Sequence, residues 1–100
     1  MNTNLLLRNN EEATFVATFF THYGATAFDR YCRKNNINSK LMAVPRFLSS
    51  SCGTCVRFTN NTWDIGFKDE TLEAFFIIED ENTNKPKAIE LYRHKGNEEL

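Results

Sequence analysis

The stretch DETLEAFFIIEDEN, residues 69–82, decides the architecture, because the same letters support two readings. Phe75-Phe76-Ile77-Ile78 is aromatic and β-branched. Alone, it fits a strand that pairs as a hairpin with KAIELYRH (87–94) across the polar turn NTNKP (82–86). Read instead from Asp69 as an N-cap, Leu72, Phe75, Phe76 and Ile78 share a broad helical face, with Glu70, Glu73 and the later acids on the rest. The acidic first turn complements the positive end of a helix dipole, and this favours a second helix over 69–82.

Outward from that segment the signals are plainer. Ala88 to His94 forms the last strand. Upstream, Asn60 to Lys68 is a polar connection carrying Trp63, Ile65 and Phe67, residues that either cover the core or offer a docking patch. Thr54 to Thr59 (TCVRFT) alternates, with Thr54, Val56 and Phe58 on one face and Cys55, Arg57 and Thr59 on the other. Ser39 to Val44 is a short strand stopped by Pro45, which lacks an amide donor. Ala13 to Phe20 reads as a buried strand. Thr21 then caps a helix in which Ala25, Phe28, Tyr31 and Cys32 recur at spacings of three and four, ending at Asn35-Asn36.

The resulting order, β-α-β-β-α-β, is that of the α+β ferredoxin-like split β-α-β sandwich: an antiparallel sheet with two helices on one face. It spans a single domain over 13–94, with an N-terminal tail or edge strand over 1–12 and a tail over 95–100. Strands one and two then run the same way, so the loop after strand two lies at the end where helix one begins.

Composition bounds the function. One hundred residues bury one modest core. Hydrophobic residues at 41% and charged residues at 25% describe a globular chain. Lys and Arg (12) nearly match Asp and Glu (13), so no basic excess is available to neutralise a row of phosphates, and nucleic acid is not the expected partner. Leu5-Leu6-Leu7 is too short for a signal-peptide core, and no segment reaches membrane-span length. No membrane partner is expected, and a cytoplasmic location is. Three cysteines, an odd number, fit a reducing compartment better than a disulfide scaffold.

The chemistry concentrates in SSSCGTC, residues 49–55. Cys52 and Cys55 form a C-x-x-C pair, which reads as a reactive thiol with a resolving partner, as half of a metal site, or as two neighbouring buried thiols. A free cysteine titrates at about 8.5, so a reactive thiol needs help to ionise. Arg46 and Arg57 flank the loop as cations. The amides of Ser50, Ser51 and Gly53 can point at the sulfur, and helix one offers its N-terminus with His22, whose ordinary range suits a base or hydrogen-bond partner. Gly53 permits the positive φ that folds the backbone over the sulfur. For zinc, Cys52, Cys55 and His22 make three ligands at best, and Cys32 belongs to the apolar stripe, so no metal is expected. No phosphate loop, paired carboxylates or dinucleotide fingerprint is present, and no cofactor is expected.

The residues Thr21-His22, Pro45-Arg46, Ser50-Ser51-Cys52-Gly53 and Arg57-Phe58, set in this apolar framework over roughly 14–92, resemble the selenium/sulfur carrier-like family of small prokaryotic proteins. The Ser-Ser-Cys-Gly loop is the most specific match. The resemblance implies a carrier whose loop cysteine, Cys52 here, holds sulfur or selenium as a persulfide-like adduct. The partners would then be donor and acceptor proteins. The chain departs from the family pattern in two places: Cys55 stands where an apolar residue is common, and the connection 60–68 is longer.

The sequence thus leads to a carrier rather than an enzyme with its own turnover. Cys52 is the reactive thiol, Cys55 the candidate resolving thiol, and His22, Arg46 and Arg57 tune the thiolate. The alternative is a small non-catalytic interaction or regulatory module, able to form a homodimer through a sheet edge, whose cysteines are sensors or bystanders.

Overall fold

The computed structural model describes residues 12–94; the tails expected over 1–12 and 95–100 lie, apart from Glu12, outside them. The elements are β1 (Ala13–Phe19), α1 (His22–Lys34), β2 (Asn38–Ala43), β3 (Thr54–Asn60), β4 (Leu72–Glu79) and β5 (Lys87–Arg93). They build one five-stranded sheet in the order β2-β3-β1-β4-β5, with every neighbouring pair antiparallel. Since β1 and β2 both oppose β3, they run the same way, and β3 lies between them. This is the expected split β-α-β unit. No helix among the described residues is long and apolar enough to cross a membrane.

α1 forms where its signals lie. Thr21 caps it, its hydroxyl accepting from the Gly24 amide at 2.9 Å. Ala25, Phe28 and Cys32 are buried against the sheet. Asp29, also buried, accepts from Ser39 Oγ at 2.7 Å and from Arg33 Nε at 3.0 Å, which fastens the helix to β2.

The second helix does not form, and the α+β class holds with a single helix. Residues 69–82 instead supply β4, which lies inside the sheet between β1 and β5. From Leu72 to Ile78 every residue is buried. A strand covered on both faces reads as a continuous apolar run without alternation, which also satisfies the wide helical stripe expected for it. Its β-branched and aromatic composition and two backbone ladders prevail over the acidic start. Asp69 still caps locally: its carboxylate accepts from the Thr71 amide and hydroxyl, each at 2.8 Å, in a turn leading into the strand.

The place of the second helix is taken by the connection 61–71. It carries the chain from β3 to β4, past the intervening β1, without regular structure. Trp63, Ile65 and Phe67 pack on the core, the Tyr31 hydroxyl donates to the Ile65 carbonyl at 2.7 Å, and Phe67 meets Phe28 with ring centroids 5.0 Å apart. A cavity of about 230 Å³ remains between Trp63, Phe67, Phe75 and Tyr92.

Two apolar clusters divide the sheet by face, as strand alternation requires. Phe15, Ala17, Phe19, Val56 and Phe58 join α1 and the connection on one side; Val16, Cys55, Ala74, Phe76 and Ile78 lie on the other. Phe28 is the hub of the first cluster, with Phe19, Phe58 and Phe75 centroids at 5.4, 5.4 and 5.8 Å. On the second face Thr18 is fully buried and its hydroxyl has no hydrogen-bond partner among the described residues.

Candidate functional site

The loop between β2 and β3 is closed at its base, where the Val44 amide donates to the Gly53 carbonyl at 3.1 Å. A turn begins at Pro45, with the Leu48 amide donating back to its carbonyl at 3.0 Å. Gly53 returns the chain to β3 at a φ of +77°, a left-handed conformation that favours glycine. Cys52 sits on this bend, half-buried, against the helix-side cluster. Its sulfur meets the backbone of Thr54 twice, donating to the carbonyl at 3.3 Å and accepting from the amide at 3.4 Å. The first contact suits a thiol and the second a thiolate, so either form finds a partner.

His22 arrives from the start of α1, as the parallel β1 and β2 imply. Its Nδ1 lies 3.2 Å from the Thr54 hydroxyl. Thr54 therefore joins His22 to the Cys52 loop, a link that strand alternation alone did not reveal. Arg46 is exposed in the turn and makes no ion pair with a described residue.

Two of the expected partners are placed elsewhere. Arg57 is spent on Glu81, with its terminal nitrogen 2.6 Å and its Nε 3.0 Å from the carboxylate. It follows Cys55 on the sheet face away from the helix, so the thiolate-tuning expected of it does not fit its position. Cys55 is fully buried in the second cluster and donates weakly to the Ala43 carbonyl at 3.8 Å. The C-x-x-C cysteines thus diverge: one rests on the helix-side core, the other in the opposite face, and all three thiols are free. Burial pushes the Cys55 thiol up to about 11, with the nearby Cys52 adding to the rise. Burial together with the Asp29 charge pushes Cys32 up to about 12. Both are held as neutral thiols, which leaves Cys52 as the accessible sulfur. Among the described residues, no group of three or more His, Cys, Asp or Glu side chains is arranged to hold a metal.

One neighbour of the Cys52 loop escaped the sequence reading. Glu73 is only 8% exposed, and its carboxylate accepts from Ser50 Oγ at 3.1 Å, from the Ser51 amide at 3.3 Å and from Ser51 Oγ at 2.9 Å. Ser50 Oγ also lies 3.3 Å from the Phe19 carbonyl at the end of β1. The serines therefore bind the loop to the sheet. The visible cue was the pair of hydroxyls beside Cys52; their acceptor, more than twenty residues away, carried no local signal.

No curated protein and no solved structure matches the chain. A family model described as Putative Se/S carrier protein-like matches residues 14–83. That span runs from β1 into the turn after β4 and takes in α1, the Cys52 loop and Glu73. The chain belongs to the Putative Se/S carrier protein-like family.

Proposed function

We propose that this protein carries sulfur or selenium on Cys52 as a persulfide-type adduct, received from a donor protein and passed to an acceptor. The observation that supports this reading is the sorting of the thiols: Cys52 stands half-exposed on a glycine bend beside the start of α1, while Cys32 and Cys55 are fully buried.

In the loading step the Cys52 thiolate attacks the outer sulfur of a donor persulfide. The Cys52–sulfur bond forms as the donor's sulfur–sulfur bond breaks, and the donor cysteine leaves as its thiolate. No net oxidation or reduction occurs, and the outer sulfur keeps its proton. Unloading is the same step with an acceptor thiolate as nucleophile. With Cys55 on the opposite face, this is single-thiol chemistry: no internal thiol displaces the cargo as a disulfide forms. Phe47, within the loop, and Phe20 and Tyr23, around the start of α1, are all exposed and offer apolar surface to a partner protein.

The test is intact-protein mass spectrometry after incubation with sodium tetrasulfide. The full chain gains the mass of one sulfur, reversed by reductant, and Cys52→Ala gains none. Sulfur retained by Cys52→Ala, or none taken up by the unmodified chain, removes the carrier reading and leaves a small interaction module.

A further inference from the structure

We infer that Glu73 is a positioning residue for Cys52, aimed at the thiol's loop by a β-bulge; this rests on the reading of Cys52 as the sulfur-bearing thiol. The pairing of β1 with β4 couples Thr18 to Ala74 and the adjacent Phe19 to Leu72, so Glu73 is the extra residue. A bulge breaks the alternation of a strand and re-aims one side chain. Here Leu72 and Phe75 both face the helix side while Ala74 faces away, and the Glu73 carboxylate reaches the loop instead. On its other edge the Glu73 carbonyl accepts from the His94 amide at 2.9 Å, which anchors the bulged residue to the chain following β5.

A buried carboxylate needs strong donors, and no cation supplies them among the described residues. Two hydroxyls and one amide do, all from Ser50 and Ser51, the residues immediately before Cys52. Hydrogen bonds to an ionised acceptor are about twice as strong as neutral ones. The dipeptide is thereby fixed on one side of the thiol, and the Gly53 bend with its Val44 contact fixes the other. Cys52 is held between two anchors rather than left on a free tip. The two serines before the cysteine are there as donors to Glu73, not as nucleophiles.

The test compares the full chain with Glu73→Ala, Glu73→Gln and the double variant Ser50→Ala/Ser51→Ala. Amide hydrogen exchange and the rate of sulfur uptake by Cys52 from sodium tetrasulfide are followed for each. Glu73→Ala speeds exchange at the Ser51 amide about tenfold, the scale of one charge-assisted hydrogen bond, and leaves the β1 and β4 amides of Val16 and Phe76 protected. It slows sulfur uptake by a similar factor. Glu73→Gln, which keeps an acceptor oxygen, recovers most of both. The serine double variant slows uptake as Glu73→Ala does, and combining them adds little. Uptake within twofold of the unmodified chain in Glu73→Ala, additive losses on combination, or loss of protection at Val16 and Phe76 together with Ser51 would each overturn the inference. Should Glu73→Ala fail to fold, the other two variants carry the test. If the unmodified chain takes up no sulfur, the carrier reading falls, and exchange at Ser51 still decides whether Glu73 holds the loop.

Discussion

Iodoacetamide added to the native chain near neutral pH should modify Cys52 and spare Cys32 and Cys55. Cys55 provides the quantitative case, since it lies only three positions along the chain. Its thiol rises from 9.0 to about 11, two pH units, so its thiolate fraction is about a hundredfold below that of an ordinary cysteine. A more basic thiolate is also the better nucleophile, with a Brønsted slope of about 0.4–0.5, which returns roughly tenfold. Ionisation alone therefore leaves only about a tenfold handicap. Burial supplies the larger factor. Cys55 is 0% exposed in a cluster against which Met42, Val44 and Leu48 pack, so the reagent waits for a local opening of the fold. An opening free energy of about 3 kcal/mol, modest for a local event, adds more than a hundredfold. Opening also relieves the burial that raised the thiol, so the two factors do not multiply, and the selectivity over an exposed thiol is on the order of a hundredfold. Timed quenching, digestion and mass spectrometry give each site's rate, and urea should equalise the three. Alkylation of Cys55 within tenfold of Cys52 in the folded chain would refute the division of the two thiols between faces and restore C-x-x-C cycling.

Thr18→Val removes a buried hydroxyl with no partner among the described residues and keeps the side-chain shape, so stability should rise by about 1 kcal/mol in urea unfolding; a loss would show that the hydroxyl is satisfied after all. Gly53→Ala meets no atom within 4 Å, so its cost is the backbone's alone, about 1–2 kcal/mol from the +77° φ, and an unchanged midpoint would contradict the left-handed bend. Cys55 and Cys32 bind their protons more tightly folded than unfolded, so their contribution is intact below pH 9 and is lost as pH rises from 9 through about 11 and 12. Urea midpoints should fall over that range, and fall less in Cys55→Ala than in the unmodified chain.

Much of this was legible in the sequence, for identifiable reasons. β1, α1 with its Thr21 cap, the β2–β3 hairpin and β5 each carry a one-sided pattern or a stop signal, and each lies within a residue or so of its expected bounds. The alternation of TCVRFT placed Val56 and Phe58 opposite Cys55 before any coordinates did. β4 was not legible, because Leu72–Ile78 is buried on both sides and leaves no period to read. Glu73 was hidden for a related reason: a bulge is a property of two paired strands, and no single-strand pattern announces it. Cys52 and Cys55 look like a unit on paper since spacing is one-dimensional. The bend at Gly53 sets the two side chains against opposite faces of the sheet.

The connection between β3 and β4 has a consequence for how this architecture tolerates change. β1 lies between those strands and pairs with both, so their alignment is dictated by the middle strand and is indifferent to how many residues the crossing uses. Closure entropy grows only slowly with length, so extra residues beyond Asn61 add little cost provided Trp63, Ile65 and Phe67 still reach the core. This stretch is the natural graft point of the molecule, where an added segment can be displayed next to the helix while every ladder of the sheet stays in step.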